Sequence, residues 1–244
     1  MEWYIFGPVV GIVSIVSYIY YMSLEQRYNG KPTTLKGDGF IVHDATVVTS
    51  KQAVKDLVRN TLGPDYMLLD YVYTISGCSL STFHRDVTSS QRGWNTEYPT
   101  YTAIHYLTGG DMLSVCRKSH TDYPFTWSRP ENITGPADRI VLFNADLLHA
   151  GMPNTIGSRR HAIQYKIAHR QDIHSGVISH LEGVHMTKTE TSTQNQYVEW
   201  ILRKLSYHGS WVTNTVFRSL LTQKYRHGLA SLLQRMIPLQ FYNR

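Results

Sequence analysis

From residue 67 onward the chain is cut into short stretches rich in Thr, Val, Ile and Tyr, and this constrains its fold more than any other feature. The stretches are 67–75, 100–107, 112–116, 139–143 and 161–168, and Gly, Pro, Asn or Asp clusters separate them, Gly109-Gly110 being the clearest turn. Runs of this length and make-up suit strands, and several in succession predict an all-β sandwich or barrel. One helix is predicted over 51–62. Thr49 or Ser50 can cap it, Ala53, Val54, Leu57, Val58 and Leu62 share one side, and Gly63-Pro64 stops it.

The two ends differ from this middle. Residues 3–24 carry no charged side chain. About 20 apolar residues suffice to cross a bilayer as a helix. Trp3 and Tyr4 at one end, and Tyr18, Tyr20 and Tyr21 at the other, suit the two interfaces. Residues 1–24 therefore read as a transmembrane anchor. Arg27, Lys31 and Lys36 follow it, which puts the rest on the cytosolic side. The sequon at Asn132 would argue for the opposite side if used. Residues 25–39 read as a polar linker, with Asn29-Gly30-Lys31-Pro32 as a turn. Residues 40–193 form the β domain. In 194–244, Val198, Ile201, Leu202 and Leu205, then Val216, Leu220 and Leu221, then Leu229, Leu232, Leu233 and Met236 recur at helical spacing, opposite Arg and Lys. These read as basic amphipathic helices that cover the β core or lie on a membrane.

Composition narrows the function classes. The 244 residues, 42% hydrophobic and 17% charged, suit one globular domain with short extensions. The net charge of +6 is spread out, with neither zinc-finger spacing nor a Gly-rich phosphate loop, so no nucleic-acid partner is expected. Cys78 and Cys116 stand far apart and read as reduced, buried thiols, not a disulfide framework.

Most of the 12 histidines lack a partner arrangement. His84 and His149 are different. In Thr82-Phe83-His84-Arg85-Asp86, extended backbone would turn an imidazole and a carboxylate to one side and Arg85 to the other. His149 follows the apolar stretch 139–143 across a turn. Two histidines and one carboxylate on one face of a metal leave adjacent positions open, the pattern of non-haem Fe(II) oxygenases. Downstream, Arg159 or Arg160 offers a planar fork for a distant carboxylate. Alternation pairs Arg159 with Ile163 and Tyr165, and Arg160 with Ala162 and Gln164, without saying which face looks inward.

The stretch 71–170 resembles the phytanoyl-CoA dioxygenase family of Fe(II)/2-oxoglutarate-dependent dioxygenases. The matching pieces are Phe83-His84-Arg85-Asp86, Gly110-Asp111-Met112-Leu113, Lys118-Ser119-His120, 135–143, Leu148-His149-Ala150-Gly151, Asn154 and Arg160-His161-Ala162-Ile163. The resemblance implies a mainly β fold: a double-stranded β-helix (jelly-roll) core with flanking α-helices, here behind the N-terminal transmembrane helix. It implies His84, Asp86 and His149 as catalytic iron ligands and Arg160 as the anchor for 2-oxoglutarate. Thr102 and Tyr73, with Tyr71, are further candidates for the co-substrate pocket. The implied cofactors are Fe(II), 2-oxoglutarate and dioxygen (O2), with ascorbate as a supporting reductant. The implied reaction is C–H hydroxylation of a small-molecule or lipid substrate. The family's usual Pro-Gly before Ser-His is Arg117-Lys118 here, which leaves the substrate open. Two rivals are a non-catalytic, membrane-tethered binding module of the same fold and a cupin-like barrel holding zinc.

Overall fold

Strand β5 (Tyr101–Tyr106) shows how the sequence builds two faces. Thr102, Ile104 and Tyr106 alternate with Tyr101, Ala103 and His105, so one set enters the barrel and the other turns outward. Its neighbour β10 (Arg160–His169) does the same. Ala162 joins the inner core with Ile104 and Tyr106, whereas Tyr165 and Ile167 join an outer cluster with Tyr101 and Ala103. The face of β10 that carries Arg160, Ala162, Gln164 and Lys166 is thereby the inner one. The computed structural model describes residues 3–45, 50–77, 82–122, 126–153, 160–189, 200–201 and 203–210. Arg159, Asn154, Cys78 and the helical positions from Val216 onward lie outside them.

The large sheet joins β2 (Phe40–Asp44), β8 (Arg139–Asn144), β5, β10, β4 (Tyr71–Gly77) and β11 (Val184–Thr189) in that order, with β3 (Tyr66–Leu68) also on β10. The small sheet runs β1 (Gln26–Arg27), β7 (Pro130–Gly135), β6 (Gly110–Cys116), β9 (His149–Gly151). Phe40, Ile75, Ile104, Val141 and Phe143 from the large sheet meet Met112, Leu113, Val115 and Ile133 from the small one. Such a pair of sheets closed over one core is consistent with a jelly roll. The outer face of the large sheet is covered by α2 (Ser50–Leu62), whose Val54, Leu57 and Val58 pack on Tyr101, Ile140, Leu142 and Tyr165. Short helices α3 (Gln91–Trp94) and α4 (Arg170–His174) lie in connections.

Three expectations change in detail. The stretch 67–75 is not one strand: β3 and β4 are separated at Leu69 and Asp70. Residues 25–39 are not a free tether, because β1 pairs in parallel with β7 and Leu35 is buried among the outer cluster. Asn132, the sequon residue, sits within the small sheet with its Oδ1 2.5 Å from Ser114 Oγ. Cys116 is buried and reduced.

The backbone of α1 (Trp3–Met22) is helical throughout, and its side chains are described from Val10 on, Ile19 excepted. Among the described residues no helix is long and apolar enough to cross a membrane. The root of α1 is tied to the β domain. Met22 packs beside Phe83 and Tyr207, Arg129 Nε donates to Leu24 O at 3.0 Å, and Lys204 Nζ donates to Ser23 O. Residues 203–210 are helical and lie on the outside of the small sheet. Arg203 pairs there with Glu25 through both oxygens, at 2.7 and 3.1 Å, and donates to Gly151 O. Ile201 and Leu205 are exposed, whereas Val198 and Leu202 lie outside the described residues.

Candidate metal centre

His84 and Asp86 do not lie on a strand, contrary to the reading of their spacing. His84 forms an isolated bridge with His149: each backbone N–H donates to the other's carbonyl at 2.9 Å. Asp86 N–H donates to Ala145 O at 2.9 Å, so the loop carrying this pair is laced to the turn before His149. That turn is held in its own right. Leu148 N–H donates to Ser119 Oγ at 2.8 Å, and Arg85, buried and pointing away from its neighbours, donates to Ser119 O and Asp146 O. Side chains that must stay within a fraction of an ångström are thus supported by backbone, not by the loop alone.

The ligand atoms of His84, Asp86 and His149 all lie within 4.8 Å of one another. Among the described residues, this is the cluster that could hold a metal. His149 Nε2 is 3.7 Å from Asp86 Oδ1, and the imidazole rings are 4.4 Å apart. The protonation pattern follows from the neighbours. His84 Nδ1 lies 2.8 Å from Thr82 O, and His149 Nδ1 lies 2.9 Å from Leu147 O. A carbonyl can only accept, so each Nδ1 carries the proton and each Nε2 keeps its lone pair. Burial, then the neighbouring His84, pulls the His149 pKa down to about 3, so this imidazole is neutral at neutral pH. Burial would raise the pKa of Asp86, but the charge of Lys166 foremost overcomes this and holds the carboxyl well below the ordinary carboxylate range. Two imidazole lone pairs and a carboxylate therefore converge in a buried spot, an arrangement that a divalent cation satisfies. The donor set fits Fe(II).

The remaining candidates fall in different places. Arg160 is buried on the inner face, its Nε 3.0 Å from Asp111 O and an Nη 2.8 Å from Met152 O, close beyond β9. Thr102 is fully buried, but its hydroxyl serves Asp86: Oγ1 donates to Oδ2 at 2.5 Å. Tyr73, opposite Gln164, packs between the inner core and the cluster around Leu69 and Ala168. Tyr71 is buried in that same cluster. Lys166 belongs to none of the motifs in the sequence. Its Nζ lies 2.6 Å from Asp86 Oδ2, with no side-chain exposure. The local signal is a second cation on the face of β10 that also carries Arg160, Ala162 and Gln164. The Arg117-Lys118 departure also has a structural account. Arg117 bridges Glu131 and Asp38 at 2.8 and 2.7 Å, and Lys118 takes the left-handed φ of 64° that a glycine adopts without strain.

No protein-family model matches the chain, and no curated protein matches it. Among solved structures it is similar to the iron and alpha-ketoglutarate-dependent endoperoxidase NvfI (12% identity, 55% of this chain and 79% of that one, TM-score 0.43). It is also similar to the non-heme alpha ketoglutarate dependent epimerase SnoN from nogalamycin biosynthesis (12% identity, 55% and 79%, TM-score 0.43). A third is HygX from Streptomyces hygroscopicus, solved with nickel and 2-oxoglutarate bound (11% identity, 55% and 83%, TM-score 0.41). Likeness of this degree assigns no activity; what the site can do follows from its own atoms.

Proposed function

We propose that the chain is a mononuclear non-haem iron enzyme of the two-histidine, one-carboxylate class. More narrowly, it is a 2-oxoglutarate-dependent dioxygenase that hydroxylates a C–H bond of a small organic or lipid molecule. The observation that carries this reading is the convergence of the His84, Asp86 and His149 ligand atoms within 4.8 Å, inside a two-sheet barrel. When bound there, Fe(II) with 2-oxoglutarate and dioxygen supplies oxidative decarboxylation to succinate and carbon dioxide, with the second oxygen atom going to the substrate. The protein holds the metal by three side chains on one face, which leaves the opposite positions for co-substrate and dioxygen. Arg160 is the candidate partner for the far carboxylate of 2-oxoglutarate, because a buried guanidinium on the inner face matches two oxygens. The surrounding apolar wall, including Phe143 with its ring 4.5 Å from that of His149, keeps bulk water out.

The same reading places the enzyme at a membrane, its β domain on the cytosolic side. Its support is the uncharged stretch 3–24 and the exposure of Val10, Ile12, Val13, Ile15 and Val16 along α1. Alkaline extraction of membranes should leave the full chain in the pellet and release a variant lacking 1–24; release of both would sink the anchor.

Activity is tested on purified full chain with Fe(II), 2-oxoglutarate and ascorbate in air. Slow succinate formation is expected even without substrate, and none from His149→Ala. Equal succinate from both proteins, or none from either with any candidate substrate, would overturn the enzymatic reading.

A further inference from the structure

Among the described residues, both side-chain donors to Asp86 fall on the same oxygen. Lys166 Nζ donates to Oδ2 at 2.6 Å and Thr102 Oγ1 donates to Oδ2 at 2.5 Å, while Lys166 Nζ also donates to Thr102 Oγ1 at 2.9 Å. The other oxygen, Oδ1, is the one 3.7 Å from His149 Nε2. The carboxylate is thus divided, one oxygen bound by Lys166 and Thr102 and one turned towards His149.

This division has a cost. The Lys166 side chain is fully buried, and desolvating an ammonium inside a barrel is costly even when it is paired. It would also repel a divalent cation bound at the neighbouring oxygen. A free carboxylate can bind a metal through one oxygen or both, and the second mode takes up a coordination position. Tyr71 covers the lysine at 5.9 Å, and the Lys166–Thr102 pair holds Asp86 Oδ2 in place.

We propose that Lys166, assisted by Thr102, is a positioning residue that keeps Asp86 a one-oxygen ligand, so that three adjacent metal positions remain for a bidentate 2-oxo acid and dioxygen. The inference rests on the reading of His84, Asp86 and His149 as the metal site. It separates two roles that a ligand mutation confounds: holding the metal and keeping its open face open.

The experiment uses anaerobic full chain and two variants, Lys166→Met and Thr102→Val, each compared with wild type. Co(II) binding is titrated first. Binding of 2-oxoglutarate to the Fe(II)-loaded protein is then followed by its visible charge-transfer band, and melting of the loaded protein is recorded. Lys166→Met is expected to bind one Co(II) but to bind 2-oxoglutarate at least tenfold more weakly. Thr102→Val, with one donor removed at nearly constant volume, should show a loss of a few fold in the same direction. A lysine with only a structural role would lower the melting temperature and leave 2-oxoglutarate affinity within twofold of wild type, which overturns the proposal. If Lys166→Met does not fold, Thr102→Val alone decides, and unchanged 2-oxoglutarate binding in it is the overturning result. Metal binding by His149→Ala equal to wild type would instead remove the metal site itself, and both readings with it.

Discussion

Arg160 and Lys166 stand on one face of one strand, six residues apart, and their different surroundings assign them different work. Six residues of strand span about 20 Å, so one side chain works at each end of the inner face. Lys166 is committed to Asp86, whereas Arg160 is held by the carbonyls of Asp111 and Met152. Those contacts fix the plane of the guanidinium, which matters if it is to meet both oxygens of a carboxylate. Arg160→Lys keeps the charge but loses the fork. The expected result is an apparent KM for 2-oxoglutarate raised about ten- to a hundredfold, about 1.4–2.7 kcal/mol of lost binding, with Co(II) affinity unchanged. An unchanged KM would show that the co-substrate carboxylate is met elsewhere. At this scale the meeting of His84, Asp86 and His149 was legible in the sequence, because the His-x-Asp spacing and the later histidine read as one donor set. Lys166 and the true partner of Thr102 were not. Their roles depend on β10 and β5 lying side by side, with Lys166 opposite Thr102 in register, and no local spacing announces that pairing.

Among the elements, the ones found from sequence are those with a strong period of their own. Helix α2 carries a clear apolar face, β8 a run of Ile, Val, Leu and Phe, and β5 and β10 are rich in Tyr, Ile and Ala. β7 reads Pro-Glu-Asn-Ile-Thr-Gly and β9 is only His-Ala-Gly, so neither has a pattern to detect; both exist because β6 lies between them and supplies the ladder. β11 is similar, parallel to β4 at the sheet edge. The most consequential contact between elements is the one joining the end of α1 to residues 203–210. Burial alone would raise the pKa of Glu25, but the hydrogen bonds and charge of Arg203, aided by Asn132 and Lys204, hold it below the ordinary value of 4.5. The folded state therefore releases this proton more readily than the unfolded chain does. The resulting stabilisation is complete above pH 4.5 and is lost as pH falls through the lower, folded value. Glu25→Gln should melt at a lower temperature than wild type at pH 7, and the gap should narrow as the pH is taken below 4.5. A gap constant across that range would mean that the ion pair contributes nothing to docking.

For the molecule as a whole, the metal site is where the two sheets are sewn together. His149 begins β9 of the small sheet, His84 is bridged to it, and Asp86 is tied through Thr102 and Lys166 to two strands of the large sheet. A cation bound to all three side chains would cross-link the sheets as well as supply chemistry. Because the unfolded chain does not assemble these ligands, binding free energy adds to folding free energy. Metal at a hundredfold excess over its Kd adds about 2.7 kcal/mol, which for a domain of this size is about 5–10 °C in Tm. Calorimetry of the full chain with Fe(II) under anaerobic conditions, or with Co(II), should show that rise, and a chelator should reverse it. In Asp86→Asn the rise should vanish, and the metal-free Tm should also fall, because Lys166 then faces a neutral amide in the interior. A metal-dependent rise that survives both Asp86→Asn and His149→Ala would place the cation somewhere other than between the sheets.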